Sequence, residues 1–124
     1  MAGELWGGFD AALAWRHAAI VALKGRTCFA GLDLGSTSDL TALTLYFPSK
    51  SVKFFGETDR SSPDIILSYA WVPAVNAERR EKRDRVPYQT WARQGFLELT
   101  PGDVTDYHFI RQRINEIGEI FSIK

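Results

Sequence analysis

The sequence predicts an α+β fold organised around a mixed sheet. Two observations carry that expectation. Strand-length apolar stretches crowd the first half of the chain, and helical patterns dominate the second. The bulk numbers agree: hydrophobic residues make up 45% of 124 residues and aromatics 13%, a composition that packs a core. The length suits one small domain.

Taken in order, residues 10 to 24 read as a helix, with Asp10 as N-cap and Gly25 as terminator. The segment is apolar nearly all round, so it calls for a partner surface. Residues 27 to 34 form a near-continuous apolar run, the pattern of a central strand covered on both faces. Residues 35 to 39 make a tight turn. From 40 to 47 the residues alternate, with Leu43, Leu45 and Phe47 on one face and Ala42, Thr44 and Tyr46 on the other, until Pro48 stops the strand. A third strand is expected at about 51 to 56, completing an antiparallel three-stranded meander. Residues 61 to 73 read as a fourth strand or an extended edge, with Ile65, Leu67, Tyr69 and Trp71 on one side. Asn76 is a plausible cap for the next helix, Pro87 breaks it, and a second short helix ends at Gly95. "FLELT" is extended and "PGD" is a turn. A last helix spans 106 to 121, capped by Asp106 and striped by Ile110, Ile114, Ile117 and Phe121.

Composition also excludes. Fifteen basic and fifteen acidic residues leave a formal net charge of zero, so nucleic-acid binding has to rest on local patches. One cysteine, Cys28, rules out an intramolecular disulfide and a cysteine zinc site, and fits a reducing compartment. The nearest approach to a membrane segment, "AALAWRHAAIVAL" at 11 to 23, contains Arg16 and His17 and is short of the roughly 20 apolar residues of a span. His17 and His108 have no ligand spacing.

Chemistry concentrates at "CFAGLDLGSTSD". An ionised Asp33 in an apolar strand is costly to bury unless paired, hydrogen-bonded or bound to metal. Near a strand end it suits a hard divalent cation, which prefers carboxylate oxygens. The structural alternative is that Asp33 caps the turn through its side chain. Asp39, after the turn, and Asp103 and Asp106 are further acids to which turn and cap roles apply equally. Ser36 and Thr37 suit a phosphate or simply the turn. In "ERREKRDR" at 78 to 85, Arg79, Arg80 and Arg83 are candidates for DNA backbone contact. The competing reading is a solvated helix laced with pairs such as Glu78 to Lys82. Trp71, Tyr88, Trp91 and Phe96 read as core aromatics.

The turn "DLGST" resembles both the first phosphate loop of actin-like ATPases and the first strand of the nuclease domain in tailed-phage terminase large subunits. Three blocks favour the second: "RTCFAGLDLGSTSDLTALTLYF" at 26 to 47, "AWVP" at 70 to 73 and "EKRDRVPYQTWARQGFLELTPGDVTDYHFI" at 81 to 110. Residues 25 to 124 resemble terminase large subunits of the siphophage type. The resemblance implies the N-terminal portion of a ribonuclease H-like nuclease domain behind a helical leader at 1 to 24. It implies a Mg²⁺- or Mn²⁺-dependent endonuclease that cuts concatemeric duplex DNA during genome packaging. Asp33 would be the first metal-binding acid and the catalytic residue, with Asp39 beside it. The implied partners are duplex phage DNA, the terminase small subunit and the portal protein, in the host cytoplasm, with no membrane. The sequence has no G-x-x-x-x-G-K-[ST] motor loop. On this pattern a second acid, in a Tyr-Asp pair, belongs to a strand after "FSIK" and a third acid lies further on. The chain therefore reads as a fragment or a prophage remnant, with an incomplete site.

Overall fold

A computed structural model describes residues 8–35, 40–49, 51–52, 60–61 and 63–124. The order is α1 (Gly8–Leu23), β1 (Thr27–Asp33), β2 (Thr41–Phe47), β3 (Ser51–Val52), β4 (Arg60–Ser61), β5 (Ile65–Pro73), α2 (Ala74–Asp84), α3 (Tyr88–Arg93), β6 (Glu98–Thr100), α4 (Tyr107–Ile120) and β7 (Ser122–Ile123).

Five strands form one sheet in the order β6-β5-β2-β1-β7. β1, β2 and β5 pair antiparallel in succession, while β6 joins β5 and β7 joins β1 in parallel. A mixed sheet that starts with an antiparallel three-stranded meander is the layout that the ribonuclease H resemblance implies.

Alternation decides what each face buries. Leu43, Leu45 and Phe47 of β2 and Leu67 and Trp71 of β5 point to one side, where Ile110, Ile117 and Phe121 meet them. Each such fully buried side chain contributes about 1.5–3 kcal/mol. Phe47 and Phe121 meet edge to face, with ring centroids 5.0 Å apart. α1 adds Ala19 and Leu23 to this core but leaves Trp15 and Val21 exposed. On the opposite face, α2 and α3 cover Ala70 and Val72 with Ala77, Tyr88 and Trp91, joined by Leu97 from the segment before β6. Among the described residues, no helix is long and apolar enough to cross a membrane.

Four expectations need correction. β1 lies between two strands, yet of its residues only Cys28 is buried. The elements that cover the sheet reach the start of β1 and not its end, so an apolar sequence did not guarantee burial. The third strand of the meander is β5, because Leu45 and Leu67 are paired to extend the core row. β5 is therefore interior, flanked by β2 and β6. Ser51–Val52 pairs with Arg60–Ser61 in a separate ribbon, and the rest of the expected strand lies outside the described residues. Asn76 does not cap α2. Pro73 occupies that position, and buried Asn76 donates from Nδ2 to the Asp103 carbonyl at 2.7 Å. Finally, the strand expected after "FSIK" begins within it, since Ser122 and Ile123 pair with Thr27 and Cys28.

Candidate functional site

β1, β5 and β6 run in the same direction, so their carboxyl ends gather at one end of the sheet. The loop after β1, the start of α2, residues 101–106 and the start of α4 meet there. In sheets with parallel strands, ligands are commonly bound outside such strand ends. Asp33, the last residue of β1, is exposed at this end. It sits in a cross-strand row with Ala42 and Ala70, whose small side chains leave the carboxylate uncrowded.

The start of the turn is held from two sides. Gly35 N–H donates to Thr41 Oγ1 at 3.0 Å, and the Tyr107 hydroxyl donates to the Gly35 carbonyl at 3.4 Å. Thr41 is fully buried. Sequence reasoning missed both anchors. A Thr opening the second strand was a usable signal for the first, whereas Tyr107 is 72 residues away and gave none. Asp39, Ser36 and Thr37 lie outside the described residues.

Of the other described acids at this end, Asp106 uses its carboxylate structurally and Asp103 is held through its backbone. Asp106 Oδ1 accepts from the Phe109 N–H at 3.0 Å and caps α4 as expected. Asp103 offers its backbone carbonyl to Asn76. Among the described residues, no group of three His, Cys, Asp or Glu side chains could hold a metal ion.

Arg79, Arg80 and Arg83 come together with Asn76 around a recess of about 220 Å³. Their spacing, three, four and seven residues on from Asn76, places them on one face of α2. α2 packs on the side of the sheet that carries Asp33. Two acids of this segment are engaged elsewhere, and a third is held by Arg83 itself. Glu78 pairs with Lys82 at 3.8 Å, and Glu81 accepts from the Gln89 N–H. Asp84 takes two hydrogen bonds from Arg83, which lower its pKa.

Two further recesses lack this chemistry. One of about 510 Å³, lined by Lys24, Arg26 and Ser49 among others, is at the opposite end of the sheet. Another, about 260 Å³, holds Arg16, Tyr69, Glu98 and Arg113. These are paired with one another: Arg16 lies 4.7 Å from the Tyr69 ring centre, and Arg113 Nε donates to Glu98 at 2.8 Å. Trp71 Nε1 also donates to Glu98, at 3.1 Å, and Arg113 reaches Glu116 as well. The Glu98 contact raises the Arg113 pKa. Burial raises that of Tyr69, against the opposing pull of Arg16.

No family model matches the chain. Over 92 residues, 74% of the chain, it is 40% identical to the terminase large subunit of Enterobacteria phage HK97. The crystal structure of the HK97 bacteriophage large terminase matches 86% of the chain with a TM-score of 0.63 and 32% identity. The chain spans 16% of the length of the first relative and 22% of the second. By sequence and by its ribonuclease H-like fold, the chain belongs with the phage terminase large subunits, as a segment homologous to part of one.

Proposed function

We propose that this chain is the opening portion, residues 25–124, of a terminase nuclease domain, and that it contributes Asp33 to a divalent-metal site for cutting concatemeric duplex DNA during packaging. The observation that carries this reading is the place of Asp33: an exposed carboxylate at the carboxyl end of the first strand of a ribonuclease H-like sheet. Such an oxygen ligand suits Mg²⁺ or Mn²⁺, which would supply Lewis-acid activation of water and phosphate when bound. The described residues do not complete such a site. Asp33 is one ligand where the ion requires several oxygens in near-octahedral order. β7 lies beside β1 in parallel, and carried on in this register it would run level with Asp33. That neighbouring strand is the natural source of a second acid.

Arg79, Arg80 and Arg83 would neutralise backbone phosphates of the duplex on the same side of the sheet, a contact without sequence preference. By the same kinship, the terminase small subunit and the portal are the expected protein partners, in the host cytoplasm. Asp39 is the second candidate metal ligand.

The test is a chimaera in which this chain replaces the matched stretch of the HK97 large subunit, assayed for Mn²⁺-dependent plasmid nicking. Asp33→Asn is expected to lower cutting by about a hundredfold or more, as loss of a metal ligand removes several kcal/mol of transition-state stabilisation. Cutting that Asp33→Asn leaves intact would refute the role of Asp33. A chimaera inactive even with Asp33 would favour a DNA-binding or remnant segment that keeps the fold without the chemistry.

A further inference from the structure

Within residues 78–85, five basic residues stand against three acidic ones, in a chain whose formal net charge is zero. The excess is gathered rather than spread. Asn76, Arg79, Arg80 and Arg83 line one recess of about 220 Å³ on α2. Arg79 and Arg83 are exposed, whereas Asn76 is buried and fixed by its bond to the Asp103 carbonyl. Asp84 offsets one guanidinium, accepting from Arg83 Nε at 2.8 Å and from Nη2 at 3.1 Å. Three guanidinium groups against that one carboxylate leave two positive charges in excess around the recess. The first turn of α2 holds no acidic residue, so the positive end of the helix dipole adds to them.

We propose that this recess is a site for a single terminal phosphate of duplex DNA, the group left at one end when a phosphodiester is hydrolysed. The proposal rests on the duplex contact of Arg79, Arg80 and Arg83 put forward above, and deepens it from a row of backbone contacts to one convergent site. Charge favours an end over the interior. A phosphate of the continuous backbone carries one negative charge. A terminal monoester carries about −1.5 to −2 at pH 7, with three strong acceptor oxygens. An excess of two positive charges matches the second more closely. Geometry agrees. The planar guanidinium fork bonds phosphate oxygens two at a time. Arginines three, four and seven positions on from Asn76 share one helix face, so their forks can meet on one group. The recess has room for a phosphate and several waters, each of which occupies about 30 Å³. α2 packs on the side of the sheet that carries Asp33, so an end made there forms on the same side as the recess.

Fluorescence anisotropy of the whole chain, at one fixed salt concentration, tests it with a short duplex in three forms. One carries phosphate at its 5′ ends, one at its 3′ ends, and one has hydroxyls only. A phosphate-ended form is expected to bind about fivefold tighter than the hydroxyl form, and which of the two does so identifies the end that is held. Inorganic phosphate should compete this preference away. Arg79→Ala, at an exposed position that the fold does not need, should abolish it. Lys24→Ala, at an exposed basic position at the opposite end of the sheet, should leave it intact. Equal binding of the three forms overturns the proposal. So does a preference that Arg79→Ala leaves intact or that Lys24→Ala removes. Should Arg79→Ala weaken all three equally tight forms alike, the arginines hold backbone only: the end site falls while the duplex contact stands. Failure of every form to bind overturns both.

Discussion

Asp33 and the arginines of α2 ask different things of their surroundings. A carboxylate meant to meet a cation has to stay accessible, and the end of β1 keeps it so, beside Ala42 and Ala70. Asp33 therefore escapes the desolvation cost that its apolar neighbours in sequence would lead one to expect. The proposed phosphate contacts of the arginines would act through charge, which Asp84 offsets at Arg83. Glu78 and Lys82 satisfy one another, and Glu81 is turned toward Gln89 at the start of α3. Arg79→Ala is expected to weaken binding of the chain to duplex DNA equally for all sequences. It should also lower the slope of log affinity against log salt by about one. A titration at several salt concentrations checks this, and a slope equal to that of the parent chain would remove Arg79 from the interface.

At the scale of elements, α4 is the best specified. Asp106 supplies the cap, and Ile110 and Ile117 lie on one stripe that enters the core. Asp106→Ala should cost about 1 kcal/mol of stability, read from urea unfolding. A cost near zero would mean that the cap bond contributes nothing. Elements whose signals lie within a few residues were legible in the sequence: the alternation of Leu43, Leu45 and Phe47, the α4 stripe, the break at Pro87 and the end at Gly95. What failed depended on partners far along the chain. Leu32 is as apolar as a core residue, but the described structure leaves it 48% exposed. The third strand of the meander was sought next to the second, whereas the register that extends the core row comes from Ile65–Pro73. Asn76 carries the signature of a cap, but Pro73 already starts the helix, so its amide reaches sideways to Asp103. The candidate site was legible in part for the same reason: Asp33 stood out locally, while the hold of Tyr107 on Gly35 did not.

At the scale of the molecule, α1 belongs to the core through a single turn. Leu23 is almost fully buried with Phe121, Phe47 and Leu45 in one cluster. Leu23→Ala is expected to destabilise the chain by about 2–4 kcal/mol in one cooperative urea transition. An unchanged midpoint would mean that α1 is an appendage. The end of α1 is also tied to the end of α4: Gly25 N–H donates to the Ile120 carbonyl at 2.7 Å, and Ser122 N–H donates to Arg26. These bonds join parts of the chain that leave the ribosome far apart in time. During synthesis Leu23 and the first strand emerge early, but their apolar partners in α4 follow only after four of the five strands of the sheet have been made. Until then the nascent polypeptide holds its stickiest segment uncovered, and the link between its first and last helices makes closure of the core a late event rather than a gradual one.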